Sequence, residues 1–182
     1  MYKIGVFGSA GGREIEKCKE FAFDVGKFVA INNGILCTGA CPGLPHEAAL
    51  GAKSEGGLIL GFSPGMNLID HAQNYKFPVS PYILIFTGME KKGRNLISTR
   101  TCDAGIFMAG SWGTVNEFTF MRDEGEIKVI GLLAGSGGFV DGIIIPNLDK
   151  TYKPTKAIII VDDYPSILVN KIFQQLAKIK PL

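Results

Sequence analysis

Seven short runs of Ile, Val, Leu, Phe and Ala, nearly uninterrupted by polar residues, recur along this chain with helical patterns between them. They are Lys3–Phe7, Ile35–Thr38, Leu58–Phe62, Tyr82–Thr87, Ala104–Ala109, Val129–Ala134 and Ala157–Val161. Continuous apolar runs, unlike alternating ones, suit strands covered on both faces. Between the first two, Ile15, Cys18, Phe21, Ala22, Val25, Phe28 and Val29 recur at helical spacing. Ile167, Leu168, Ile172, Phe173, Leu176 and Ile179 repeat the pattern near the C-terminus. Shorter helices are expected over Pro45–Glu55, Asn67–Tyr75, Asn95–Cys102 and Thr114–Asp123. Strand and helix alternating throughout predict an α/β fold: a doubly wound, mainly parallel sheet with helices on both faces. No repeat or linker divides the chain, so a single domain is expected over residues 1–182.

Composition narrows the function classes. Apolar residues form 46% of the chain and charged residues 20%, which excludes a disordered segment. A scattered net charge of +2 points to neither nucleic acid nor an anionic membrane as partner. No basic-then-apolar leader opens the sequence and no apolar stretch approaches about 18 residues, so a cytoplasmic, soluble protein is expected. Cys18, Cys37, Cys41 and Cys102 lack CxxC spacing and His46 and His71 are the only histidines, so buried thiols are expected and no metal.

In an open parallel sheet, ligands sit beyond the carboxyl ends of the strands, where loops enter helix N-termini with unpaired N–H groups. Three Gly-rich turns are placed there by the strand assignment: Gly8-Ser9-Ala10-Gly11-Gly12, Thr38-Gly39-Ala40-Cys41-Pro42-Gly43-Leu44-Pro45, and Gly110-Ser111-Trp112-Gly113-Thr114. In the first two, Gly8, Ser9, Gly39 and Gly43 are candidate ligand contacts, because glycine allows close backbone approach. In the third, Gly110 and Gly113 supply turn geometry, while Ser111, Thr114 and the N–H groups at the helix start can hold phosphate oxygens. Glu117 follows one turn inside the helix, its side chain directed back toward the N-terminus. Thr114 and Glu117 also have capping-box spacing, which would give them a purely structural role. Arg94, read as opening the preceding helix, is placed around the same cleft as Glu117.

These residues carry a resemblance. Arg94, Asp103-Ala104-Gly105-Ile106-Phe107 and Gly110-Ser111-Trp112-Gly113-Thr114-Val115-Asn116-Glu117 resemble the arginine and PGGxGTxxE pattern of the LOG family, the cytokinin riboside 5'-monophosphate phosphoribohydrolases and their bacterial relatives. The likeness runs from Gly5-Val6-Phe7-Gly8-Ser9 through Gly43-Leu44 to the last strand. It implies a Rossmann-like sheet, usually dimeric, that binds a nucleoside monophosphate and hydrolyses the bond between base and ribose 5-phosphate, with no cofactor required. In that reading Arg94 and Glu117 are catalytic and the third turn binds phosphate. Ala109-Gly110-Ser111 stands where the family has Pro-Gly-Gly, and Asn95 where a lysine is usual. The pattern is closer to a branch resembling the molybdenum cofactor carrier proteins, which implies a phosphate-bearing pterin held without turnover.

Glycosidic cleavage wants an acid for the leaving group as well as a base or nucleophile. Glu117 is one carboxylate; Asp70, Asp103, Tyr75, Tyr82 and His71 are the other proton-bearing groups considered, each with a core, capping or surface role as the alternative. Phe118, Phe120 and Met121 are read as core, as the lining of a base pocket or as aromatic surface joining two copies near a two-fold axis, and a homodimer or higher assembly is expected. Gly135-Ser136-Gly137-Gly138-Phe139 is either a cover over the ligand or an ordinary flexible loop.

Overall fold

The computed structural model describes residues 1–123, 127–150 and 154–181. All seven expected strands are present: β1 (Lys3–Gly8), β2 (Ile35–Thr38), β3 (Leu58–Ser63), β4 (Ile83–Phe86), β5 (Ala104–Met108), β6 (Val129–Leu133) and β7 (Ile158–Asp162). They form one sheet in the order β4-β3-β2-β1-β5-β6-β7, and every pairing is parallel. The chain winds outward from β1 to β4, returns to lay β5 beside β1, and winds outward again to β7. The loops after β1 and β5 therefore part in opposite directions, which opens a crevice at their carboxyl ends. Gly8 pairs with Met108 at that edge.

Two apolar layers sandwich the sheet. On one face Ile4, Val6, Ile106 and Met108 pack against α1 (Glu14–Ile31), α2 (Leu44–Ser54) and α5 (Pro165–Ile179) through Val25, Val29, Ala48, Leu168 and Ile172. On the other, Phe7, Phe107, Ile130 and Leu132 meet Phe118 and Met121 of α4 (Trp112–Asp123) and Val140 and Ile144 beyond β6. Phe7 stacks on Phe107 at 5.1 Å between ring centroids, and Phe118 meets Phe107 edge-on at 5.7 Å. Phe118 and Met121 are thus core residues and Phe120 is half-buried, so Phe118 and Met121 do not form the aromatic surface expected to join two copies. Exposed apolar residues gather instead along the edge strand β4, at Ile83, Ile85 and Phe86. That strand is an exception to the expectation of coverage on both faces.

Two helices differ from the sequence reading. α3 covers Glu90–Thr101 and starts before Asn95, so Arg94 lies within the helix and does not open it. Its start is held by contacts that are distant in sequence: Gly88 N–H donates to Gly65 O at 3.0 Å and Glu90 N–H to Pro64 O at 3.2 Å. The helix expected over Asn67–Tyr75 is reduced around a π-helical turn at Asp70–Asn74. A further π-helical turn, Val140–Ile144, and a 3-10 segment, Ile145–Lys150, follow β6 in a stretch to which the sequence reading assigned no element. Cys18, Cys37, Cys41 and Cys102 are all buried as thiols, and Cys18 Sγ donates to Ser136 O at 3.1 Å. No helix among the described residues is long and apolar enough to cross a membrane.

Candidate functional site

The crevice between the β1 and β5 loops widens into a cleft of about 740 Å³. Of the residues singled out in the sequence, Gly8, Ser9, Arg94, Gly110, Ser111, Gly113, Thr114 and Glu117 line it. Gly39 and Gly43 do not; they act from behind. A Cβ on Gly43 would overlap Ser9 O, so glycine there lets the second turn press against the first, and its φ of 80° suits glycine as well. A Cβ on Gly39 would fall on the guanidinium of Arg94.

The third turn is braced on both sides. Ser9 Oγ accepts from Gly110 N at 2.9 Å, so this N–H belongs to the framework and is not offered to a ligand. Ala109 N–H donates to Ser136 Oγ at 2.8 Å, while Phe139 N–H and Val140 N–H donate to Gly110 O and Ala109 O at 3.1 and 3.0 Å. The Gly135–Phe139 segment is therefore a buttress for the turn, and Gly138 and Phe139 also line the cleft. Ala109 has φ 48°, a left-handed conformation closed to the proline that the LOG pattern places there. The N–H groups of Trp112, Gly113 and Thr114 form the first turn of α4, where no preceding helical carbonyl can accept them. They remain suited to an anion.

Arg94 faces this helix start from α3. It is only 5% exposed, and its Nε has no hydrogen-bond partner among the described residues. Leaving a buried polar group unmatched costs about 1–3 kcal/mol, and more when it is charged, so the arrangement is suited to an incoming anion. Lys91 and Lys92 stand beside it on the cleft wall. Among the described residues lining the cleft, Glu117 is the one carboxylate. Burial raises its pKa to about 7, with Arg94 and Lys92 opposing. Asn95 has an amide orientation set by its surroundings: turned to donate, it reaches Glu117 Oε1 at 3.0 Å and Lys91 O at 2.9 Å. Thr114 is buried against Gly110, where a Cβ would overlap its Oγ1.

The other proton-bearing candidates do not line the cleft. Asp103 lies at the opposite end of β5, accepting from Lys3 N at 2.8 Å and Lys180 Nζ at 2.6 Å. Asp70 accepts from Met66 N and Asn74 Nδ2 in an exposed turn. His71 is buried between Ser63 Oγ at 2.8 Å and Pro78 O at 3.0 Å. Tyr82 Oη contacts His46 Nδ1 at 2.8 Å, and Tyr75 packs on Phe77. Cys41 and Pro42 of the second turn and Phe139 of the segment read as a cover also line the cleft, while the sequence reading missed Lys91, Lys92 and Phe77 and took Asn95 only as a departure from the family pattern. The lysines had a signal, since Lys91, Lys92 and Arg94 crowd one helical turn.

Comparison with known proteins decides the family. Residues 1–169 match the model of the SLOG cluster4 family. The chain belongs to that family. A relative from Archaeoglobus fulgidus, described as an uncharacterized protein, is 31% identical over 126 residues, covering 69% of this chain and 77% of the relative. The crystal structure of the structural-genomics protein TM1055 superimposes with a TM-score of 0.82 at 20% identity, covering 96% of this chain and 99% of that one. The molybdenum cofactor carrier protein of Chlamydomonas reinhardtii superimposes with a TM-score of 0.70 at 22% identity, covering 97% and 98%. The Rossmann-like sheet and the LOG-like family are as the sequence led one to expect, and the fold is shared with the carrier protein.

Proposed function

We propose that this SLOG protein binds a nucleoside monophosphate or a phosphate-bearing pterin, and holds it without cleaving it. The observation that carries this reading is Arg94: a buried arginine with an unmatched Nε, lining a cleft that also presents Lys91, Lys92 and the start of α4. The phosphate sits across the Trp112–Thr114 helix start and Arg94. Carriage is favoured over hydrolysis because glycosidic cleavage usually takes two carboxyl groups, and Glu117 is the one carboxylate among the described lining residues. The likeness to a molybdenum cofactor carrier supports the same reading.

The phosphoribohydrolase reading keeps one specific support, the pKa of Glu117 near 7, which suits a general acid or base at neutral pH. Incubation with AMP, GMP, CMP and IMP, followed by chromatography for free base, separates the two. Carriage predicts binding with no base released. Multiple turnovers would select the hydrolase.

The homodimer expected from the sequence stays a proposal, now resting on the exposed apolar edge of β4 in place of α4.

A further inference from the structure

The chain has a single tryptophan, and it stands on the phosphate turn itself. Trp112 is the first residue of α4, so its backbone N–H belongs to the helix start while its indole projects from the same point. The indole is 69% exposed, an unusual setting for so large an apolar surface on a single-chain fold. It is nonetheless held. Phe139 meets it edge-on, with ring centroids 5.0 Å apart and planes at 85°. Phe139 is itself fixed, because its N–H donates to Gly110 O and Gly138 lies so close that a Cβ there would stand 2.6 Å from Ala109 C. Beside the cleft, between the lining residues Ser111 and Gly113, the helix start therefore carries an exposed indole backed by Phe139, a lining ring on a braced loop.

We infer that Trp112 is the specificity-determining residue of this cleft, stacking the planar nitrogen heterocycle of a ligand whose phosphate lies on the α4 helix start. The inference rests on the phosphate-binding reading above and deepens it. Stacking on an aromatic ring is tolerant of base identity, since every such heterocycle has a π-face. Trp112 accordingly selects ring-bearing phosphates over ring-less ones and does not choose between a purine and a pterin. The indole face and Arg94 are separate features, so the two parts of the ligand are recognised by different residues.

The sole tryptophan makes the test direct. Ribose 5-phosphate, AMP and neopterin monophosphate are titrated into the full chain, following binding by calorimetry and indole emission in parallel. AMP and neopterin monophosphate should quench the emission and bind about tenfold more tightly than ribose 5-phosphate, which should bind without quenching. In Trp112→Ala the ratio between ring-bearing and ring-less ligands should fall from about ten to about one, and Trp112→Phe should recover part of it. Equal affinities in the unmodified protein, or a ratio that survives Trp112→Ala, overturns the stacking role while leaving phosphate binding intact. Failure of all three compounds to bind would remove both readings. An emission that shifts on diluting the protein, and not on adding ligand, would assign Trp112 to a contact between copies and overturn the inference.

Discussion

The guanidinium of Arg94 occupies the space that a side chain on Gly39 would fill. Gly39 follows β2 and Arg94 lies in α3, so the absence of one Cβ is what seats a charge from a distant helix behind the cleft. Gly39→Ala should displace the guanidinium while sparing the fold, because the conflict is with the far end of a flexible side chain. Ligand affinity should fall by about tenfold or more, the scale of one charge-assisted hydrogen bond. Combining Gly39→Ala with Arg94→Ala should cost no more than Arg94→Ala alone. Calorimetry on the three variants reads both effects.

Glu117 should make stability and binding depend on pH. Its folded pKa is raised from 4.5 to about 7, so the unfolded chain releases this proton first as pH rises. Stability from this group is complete below pH 4.5 and declines as pH rises toward 7, beyond which the cost is constant. Glu117→Gln should abolish that slope and raise stability at pH 8 by up to about 3 kcal/mol, measured by denaturant melts across the range. An anionic ligand favours protonated Glu117, so affinity should fall from pH 7 to 8.5 and flatten in Glu117→Gln. The ligand phosphate, with its second pKa about 6, has finished titrating by then.

Much of this was legible in the sequence because burial on both faces leaves an unmistakable trace: β1, β2 and β5 read directly as unbroken apolar runs. Gly110, Gly113 and Thr114 were legible as a strand-to-helix turn for the same reason. The start of α3 was not, because Gly88 and Gly93 resemble loop residues and the first turn is held by carbonyls of Pro64 and Gly65. The roles of Gly39 and Phe139 were hidden too, since each acts through a partner far away in sequence. Arg94 was found, but a basic residue in a helix reads as solvent-facing, and nothing local announces that it is buried.

Ser136 ties the β6 loop to the ligand turn, accepting from Ala109 N–H and donating to Leu133 O at 2.6 Å. Ser136→Ala leaves a buried backbone N–H without its acceptor. Thermal or denaturant unfolding should show a loss of about 1–3 kcal/mol, accompanied by weaker ligand binding because the turn is no longer braced.

The exposed edge of β4 predicts self-association. Light scattering at micromolar concentration should show a dimer, and Ile85→Lys should shift it toward monomer without lowering ligand affinity. A monomer in the unmodified protein would set this proposal aside.

On the proposed function, a buried Arg94 holds the phosphate of a ligand that leaves intact. The most direct measurement is calorimetric titration of AMP and neopterin monophosphate into the unmodified chain and into Arg94→Ala, with chromatography of the AMP mixture afterwards. Saturable binding of at least one of the two is expected, with a loss of about 30-fold or more in Arg94→Ala and no adenine. Equal affinity in the variant, or adenine accumulating beyond one equivalent of protein, would contradict it.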